Sequence, residues 1–168
     1  IDEMVKRYKI DTKRVYLSGF SMGGMMTYFC ANYMDEKFAA FAPVSGYLMW
    51  GDPVCSSRPI PLIHTHGNAD DVVTYDNVKA RVSAWAAHND CKTPATTVTP
   101  WPKNKPNSKS SRTTWEAGEG GVEVVLNTLD GKGHWHSNDP AGVMTSEEIW
   151  EFVSKYTLTE KIEEPEGI

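Results

Sequence analysis

Short apolar runs alternate along the chain with stretches that have helical periodicity. Ile1, Met4, Val5 and Tyr8 have the spacing of one helix face, and the continuous run "RVYLSGF" that follows is typical of a buried strand. Further strands are predicted at "FAAFAPVSG", "PIPLIHTHG" and "VEVVLNTL". Helices are predicted at "GGMMTYFCANYM", "YDNVKARVSAWAAH" and "TSEEIWEFVSKY", the last opened by a capping pair, Thr145 and Glu148. This alternation predicts an α/β fold, a mostly parallel sheet with helices on both faces.

One long polar stretch interrupts the pattern between Pro94 and Gly121. It contains "PWPKNKPNSKSSRTTWEAGEGG", with an optional short strand at Arg112 to Trp115. We interpret it as a surface excursion, with the wall of a binding cleft as the alternative. Residues 1–158 are expected to form part of a single domain, and residues 159–168 a frayed tail.

Composition excludes several classes of partner. The chain has 168 residues, of which 40% are apolar, and this is enough for one sizeable domain core. The net charge of −5, without a block of Lys or Arg, argues against nucleic acid or an anionic membrane as the main partner. No apolar run approaches the roughly 20 residues that a membrane span needs.

Reactive side chains follow three of the predicted strands. Ser21 comes after the first strand, Asp70 and Asp71 after the third, and His134 and His136 after the fourth. Because the carboxyl ends of parallel strands meet at one edge of a sheet, we expect a hydroxyl, a carboxylate and an imidazole to converge there. The chain order Ser, Asp, His is the one that a nucleophile elbow requires.

The stretch "SGFSMGGMM" has one chemical interpretation and two structural ones. The glycines could cap a strand-to-helix turn, or Ser21 could be a helix N-cap. In the chemical interpretation a sharp turn presents Ser21 as a nucleophile, an imidazole takes its proton, and a carboxylate orients the ring. Gly19 and Gly23 would then avoid collisions in the turn, and Gly24 would allow the helix to approach a strand.

The motifs "GFSMGG", "HGNADDVVTY" and "GKGHWH" resemble the carbohydrate esterases of the α/β-hydrolase superfamily, a group of feruloyl and acetylxylan esterases related to polyhydroxybutyrate depolymerases. The similarity runs from about Val15 to Tyr156. It implies Ser21 as nucleophile, Asp70 as acid and His134 as base, with no metal or cofactor. His136 remains an alternative to His134, because this sequence has "HWH" where many relatives have Trp-Pro after the base. Asp71 remains an alternative to Asp70, because the two residues are adjacent.

The same resemblance implies further roles. From the residues alone, Cys55 and Cys91 lie in loop-like sequence and a bridge between them is an open option, whereas Cys30 is a small buried hydrophobe. The resemblance implies a Cys55–Cys91 disulfide, and with it a secreted protein, extracellular or periplasmic. Trp135 is expected to contact substrate. His64 is expected in the core, and His66 in a structural role that orients the acid loop.

An oxyanion hole needs two donors, and the sequence supplies one. The backbone N–H of Met22 follows the nucleophile, whereas the second donor normally comes from a loop well before it. Only twenty residues precede Ser21, and the chain opens on "IDEMVKRY". We therefore expect the C-terminal half of the domain, with about four strands supplied by the same precursor or by a companion chain.

The sequence thus predicts a serine carboxylic-ester hydrolase acting on feruloyl or acetyl esters of plant polysaccharide. A polyester depolymerase or a serine peptidase on the same fold is the alternative enzyme, because the three reactive residues are common to all of them. A non-catalytic binding module is the alternative from another class.

Overall fold

The computed structural model describes residues 1–48 and 56–158, and these form a six-stranded sheet flanked by helices. The strands in chain order are β1 (Tyr16–Phe20), β2 (Ala40–Val44), β3 (Leu62–Gly67), β4 (Thr96–Val98), β5 (Ser111–Trp115) and β6 (Val124–Leu129). The helices are α1 (Asp2–Arg7), α2 (Met22–Tyr33), α3 (Val78–His88) and α4 (Thr145–Val153), with 3₁₀ turns at Thr12–Arg14 and Asp35–Lys37.

The strand order is β1-β2-β3-β6-β5-β4. The pairs β1–β2, β2–β3 and β3–β6 are parallel, and the pairs β6–β5 and β5–β4 are antiparallel. The α/β fold with a mostly parallel sheet is therefore confirmed. The register places Gly67 opposite Leu129, so β3 and β6 end level with each other.

Helices cover both faces of the sheet because β2, β3 and β6 are apolar on both sides. On one face, α2 and α3 bury Tyr28 and Trp85 against Phe41 and Leu62. On the other face, α4 buries Phe152 among residues such as Ala42 and Ile63. None of the helices in the described part of the chain is long and apolar enough to cross a lipid bilayer.

Two helices differ from their predictions. In α4 the N-cap residue is Met144, and no side chain caps the helix. The predicted capping pair is wrong because the buried hydroxyl of Thr145 has no hydrogen-bond partner among the described residues, while Glu148 bonds elsewhere. The stretch "GGMMTYFCANYM" is apolar nearly all round and predicts a helix buried against the sheet, but α2 leaves a stripe of apolar side chains exposed: Met22, Met26, Phe29 and Tyr33.

The structure tests the cysteine predictions only in part. Cys30 is buried on α2, as predicted. The sulfur of Cys91 lies 3.4 Å from the carbonyl oxygen of Val122, and the disulfide of Cys91 stays a prediction. Its predicted partner, Cys55, lies outside the described residues, as does the 159–168 tail.

Candidate active site

Ser21 lies at a sharp turn between β1 and α2. Its φ of 58° and ψ of −119° place a non-glycine residue in a strained region, which costs about 1–3 kcal/mol. The turn is held because the Ser21 N–H donates to the Val44 carbonyl at 2.9 Å, and the Ser21 carbonyl accepts from the Met25 N–H at 3.1 Å. The hydroxyl is therefore presented above the carboxyl end of the sheet.

The glycines around Ser21 do not all have the same purpose. A Cβ on Gly19 would collide with the backbone carbonyl of Gly23, and a Cβ on Gly24 would lie 2.8 Å from the carbonyl oxygen of Val44. The steric roles predicted for Gly19 and Gly24 are confirmed. The role predicted for Gly23's own missing side chain is wrong, because a Cβ there would meet nothing within 4 Å.

The loops after β3 and β6 are bonded to each other. The Ala69 N–H donates to the Lys132 carbonyl at 3.0 Å, and the Asn68 side chain bonds both Asp130 and the Gly131 N–H, at 2.9 and 2.7 Å. Gly67 permits this approach, because a Cβ there would collide with the Lys132 carbonyl. These bonds bring the loop that carries Asp70 beside the loop that carries His134.

Ser21, His134 and Asp70 form one hydrogen-bonded line. The Nδ1 of His134 lies 2.8 Å from Oδ2 of Asp70, and its Nε2 lies 2.8 Å from Oγ of Ser21. Because an ionised carboxylate only accepts, Nδ1 carries the ring proton and Nε2 is free to accept from the hydroxyl. The imidazole is thus in the tautomer that a base for Ser21 requires.

Asp70 is buried and held from both of its oxygens. The N–H groups of Val72 and Val73 donate to Oδ1 at 2.9 and 2.8 Å, while His134 donates to Oδ2. Burial alone would raise the pKa of this carboxyl, but the hydrogen bonds from His134, Val73 and Val72 together lower the pKa below its usual value. Asp70 is therefore ionised at neutral pH.

The structure distinguishes Asp70 from Asp71, and His134 from His136, by their contacts. None of the described hydrogen bonds joins Asp71 or His136 to Ser21, and Asp71 is exposed where Asp70 is buried. Trp135 follows His134 directly and its side chain is 66% exposed. Met22 is the first residue of α2, where backbone N–H groups have no partner within the helix.

Two features of the site go beyond the sequence prediction, which had assigned only His66 a role in orienting the acid loop. The ring of Phe20 packs on that of His134, with centroids 4.8 Å apart. Its position just before the nucleophile, at the end of β1, is the signal that could have found it. The second feature is a buried chain of side chains that reaches Asp70 from Tyr28 through His64 and His66.

The polar insertion lines a cavity away from this line of residues. The cavity has a volume of about 550 Å³, and Trp101, Lys103, Glu147 and Met144 are among its walls, whereas none of Ser21, Asp70 and His134 is. In the described part of the chain, no group of three or more His, Cys, Asp or Glu side chains is arranged to hold a metal ion.

Comparison with known proteins places the chain among ester hydrolases. Residues 1–108 match the family model described as Phospholipase/Carboxylesterase. A bifunctional acetylxylan esterase/xylanase of Neocallimastix patriciarum is 42% identical over 158 residues, and feruloyl esterase B of Piromyces equi is 29% identical over 178 residues. Each alignment covers 94% of this chain, but only 22% and 30% of the two relatives.

A solved structure shows the same fold. The acetyl xylan esterase from Aspergillus awamori superimposes with a TM-score of 0.65 at 20% identity, over 90% of this chain and 63% of that one. The family match covers more than half of the chain, and the sheet, the strained serine turn and the strand order agree with it. The chain therefore belongs to the phospholipase/carboxylesterase family of α/β-hydrolases.

Proposed function

We propose that this protein is a serine carboxylic-ester hydrolase that works through an acyl-enzyme on Ser21. The observation that carries the proposal is the line of two 2.8 Å hydrogen bonds from Ser21 through His134 to Asp70. A serine hydroxyl is a weak nucleophile at neutral pH, and an imidazole within hydrogen-bond reach overcomes this weakness. The strained turn at Ser21 supports the same role.

The proposed reaction has two halves. Ser21 Oγ attacks the acyl carbon while His134 Nε2 takes its proton, and the resulting imidazolium protonates the alcohol that leaves. A water then attacks the acyl-enzyme with His134 again as base, and the carboxylic acid is released. Asp70 keeps the imidazole in one tautomer and stabilises its positive charge.

The tetrahedral intermediates need donors for their negative oxygen. We assign one of them to the backbone N–H of Met22, because it follows the nucleophile at the start of α2. Such a donor costs little reorganisation during the reaction, since the helix already fixes it. The side chain of Met22 is 78% exposed and is not needed for this role.

A fluorophosphonate probe followed by peptide mass spectrometry tests the assignment of the nucleophile. We expect one adduct, on Ser21, and none in Ser21→Ala. Ser18→Ala is the matched control, because Ser18 lies on β1, three residues before Ser21, and its hydroxyl donates to the Ala42 carbonyl at 2.8 Å. Labelling of Ser18→Ala should equal that of the unmodified protein. An unlabelled Ser21 in folded, full-length protein would instead favour a binding module.

We further propose that the substrate is a feruloyl or acetyl ester of plant cell-wall polysaccharide. The names of the similar acetylxylan and feruloyl esterases support this substrate class. Trp135 supports it as well, because an exposed indole beside the base can stack on a sugar or an aromatic acyl group. A polymer of this kind lies outside cells, so we propose that the protein is secreted.

A substrate panel tests the proposed class. Methyl ferulate, acetylated xylan, hydroxybutyrate oligomers and peptide anilides are compared by kcat/KM. We expect one of the first two to be the best substrate, and Trp135→Ala to raise KM for it while leaving kcat little changed. A preference for hydroxybutyrate oligomers or peptide anilides would contradict the substrate class and leave the nucleophile assignment standing.

We also propose that further strands, from the same precursor or a companion chain, cover β1. This strand pairs with β2 on one side only, and its Ser18 and Phe20 are exposed. The exposed apolar stripe on α2 runs beside it. Uncovered strand edges of this kind promote association, so a protein normally pairs or shields them. The share of the relatives that this chain spans agrees with the proposal.

A further inference from the structure

A buried hydrogen-bonded chain connects helix α2 with Asp70. The hydroxyl of Tyr28 lies 2.8 Å from Nδ1 of His64, and Nε2 of His64 lies 2.9 Å from Nδ1 of His66. The two imidazole planes are nearly parallel, at 10°, because the residues alternate on one face of β3. All three side chains are at most 2% exposed.

The series of hydrogen bonds ends at Nε2 of His66, which faces two oxygen atoms. Nε2 of His66 lies 2.8 Å from the carbonyl oxygen of Val73 and 3.2 Å from Oδ2 of Asp70. A carbonyl and a carboxylate only accept hydrogen bonds, so Nε2 of His66 must carry a proton. The hydrogen bond of this proton goes to Val73, and Oδ2 of Asp70 lies at ion-pair distance from the same nitrogen.

The proton on Nε2 of His66 determines which atom donates and which accepts in the other two hydrogen bonds, His64–His66 and Tyr28–His64. With Nε2 of His66 protonated and the ring neutral, Nδ1 of His66 accepts from Nε2–H of His64. Nδ1 of His64 then accepts from the hydroxyl of Tyr28. Each buried polar atom of the three side chains has a partner, and one arrangement of protons satisfies them all.

Burial keeps the side chains of Tyr28, His64 and His66 uncharged. It lowers the pKa of His64 well below its usual value, and the neighbouring His66 lowers it further. Burial also lowers the pKa of His66, although the hydrogen bond to Val73 and the nearby Asp70 oppose this. Burial raises the pKa of Tyr28, and Arg81 opposes this shift in part. The tyrosine thus remains a donor at neutral pH.

His66 acts on the loop that carries the acid at two points. Its Nε2 lies 3.2 Å from Oδ2 of Asp70, the same oxygen that accepts from His134. Its proton is donated to the carbonyl of Val73, whose N–H donates to Oδ1 of the same carboxylate. A shift of this loop would therefore break the hydrogen bond between Val73 and β3, and rotation of the carboxyl group would move Oδ2 away from His66.

We propose that His66 is a positioning residue that holds Oδ2 of Asp70 toward His134, and that His64 and Tyr28 fix the tautomer in which it does so. The kinetic part of this proposal rests on the proposed function. The mechanism assigned to Ser21, His134 and Asp70 does not require a fourth side chain, so the proposal adds three residues to the site. None of the three touches the reacting atoms.

A double-mutant cycle tests the positioning role in the full-length protein. His66→Phe removes the donor and keeps a flat ring, and we expect kcat for p-nitrophenyl acetate to fall by about 10- to 100-fold with KM nearly unchanged. In an Asp70→Asn background the same substitution should change kcat by less than about 2-fold, because the carboxylate it positions is gone. An equal loss in both backgrounds would mean a purely structural role and overturn the proposal.

Two further variants supply a control and a rescue for this double-mutant cycle. Thr65→Val is the matched control, since Thr65 lies between the two histidines on β3 and its buried hydroxyl has no partner among the described residues. Its kcat should equal that of the unmodified protein. His66→Gln places an amide N–H near the imidazole Nε2 and should recover most of the activity lost in His66→Phe.

A spectroscopic measurement decides the proposal without turnover. In ¹⁵N-histidine NMR at pH 7, both His64 and His66 should be neutral with the proton on Nε2. The low-field Nδ1–H resonance of His134 should move in His66→Gln and stay in place in Thr65→Val. A charged or Nδ1-protonated His66 would overturn the proposal. If Ser21 neither labels nor turns over esters, the proposed function fails and these resonances still report on the positioning.

Discussion

At the scale of single residues, Asp70 and Asp71 are neighbours with different surroundings. Asp70 is buried and accepts three hydrogen bonds, with Nε2 of His66 3.2 Å from its Oδ2, whereas Asp71 is exposed. We expect Asp70→Asn to lower kcat by about 10⁴-fold, because an amide N–H facing His134 would favour the wrong imidazole tautomer. Initial rates on p-nitrophenyl acetate measure this loss.

Asp71→Asn is the control for that substitution. It makes the same chemical change one residue away, and kcat should stay within about 2-fold of the unmodified protein. Circular dichroism should show both variants folded. A larger loss in Asp71→Asn than in Asp70→Asn would mean that the acid is Asp71 and that the loop rearranges during the reaction.

The two buried histidines make stability depend on pH. The pKa values of His64 and His66 are lowered in the native state, mainly by burial, whereas an unfolded histidine titrates near 6.5. Below about pH 6.5 the unfolded chain therefore binds more protons than the native state, so the free energy of unfolding falls as the pH falls.

We expect His64, whose pKa is lowered well below its usual value, to contribute a slope of about 1.4 kcal/mol per pH unit, and His66 to add a smaller slope. Urea unfolding between pH 8 and pH 5 measures it. The free energy of unfolding should be level near pH 8 and decline below about 6.5, and His64→Leu should reduce the slope by about one proton. A free energy of unfolding that is constant down to pH 5 would show that these side chains are protonated in the native state.

The residues of the proposed mechanism could be predicted from the sequence, whereas the hydrogen-bonded series Tyr28–His64–His66 beside Asp70 could be predicted only in part. Ser21 is in a local motif, and Asp70 and His134 follow strands whose apolar character identifies them. The sequence also suggested that His66 orients the acid loop. It could not reveal Tyr28, because that contact joins a helix to a strand 36 residues away and depends on rotamers.

At the scale of elements, Glu148 connects α4 to the antiparallel part of the sheet. Its Oε2 accepts from Nε1 of Trp101 at 2.9 Å and from Nη1 of Arg112 at 3.0 Å. The guanidinium group of Arg112 also lies over the Trp101 ring, 4.7 Å from its centroid. The capping-pair prediction failed here because a spacing rule could not anticipate that a distant strand would supply a cation for this carboxylate.

We expect Glu148→Ala to lower the free energy of unfolding by about 3–5 kcal/mol, because it leaves the largely buried Arg112 without its anion. Urea unfolding at pH 7 measures this change. Glu116→Ala is the control, since the Lys92–Glu116 pair is 3.9 Å apart and more than half exposed, and it should cost less than about 1 kcal/mol. Equal losses would mean that Glu148 contributes nothing specific to the packing of α4.

The strands differ in how well the pattern of hydrophobic residues predicts them. Strands β2, β3 and β6 were predicted because burial on both faces leaves continuous apolar runs. Strand β1 was predicted from its own apolar run, but the structure leaves its Ser18 and Phe20 exposed. The strand at 112–115 was only an option, and it exists as β5 because it pairs with β6. Strand β4, Thr96–Val98, was not predicted, since three residues with two threonines have no hydrophobic period and the strand forms by pairing with β5.

At the scale of the whole molecule, the exposed side of β1 lies next to the proposed site. Phe20 ends this strand and packs on His134, and Ser21 follows it directly. Strands added at β1 would therefore contribute loops to the same edge of the sheet as Ser21. The second donor of the oxyanion hole is expected from one of those loops.

The last prediction concerns activity and follows from that geometry. We expect the 168-residue chain, purified alone, to hydrolyse p-nitrophenyl acetate about 10²–10³ times more slowly than the same chain combined with the strands proposed to cover β1, because loss of one oxyanion donor has that cost. Ser21→Ala versions of both proteins supply the background rate. Sedimentation should also show that the isolated chain associates through β1 and the exposed apolar stripe on α2, and that Met26→Lys with Phe29→Lys on that stripe reduces the association. Equal rates for the two proteins would mean that the residues described here already complete the oxyanion hole.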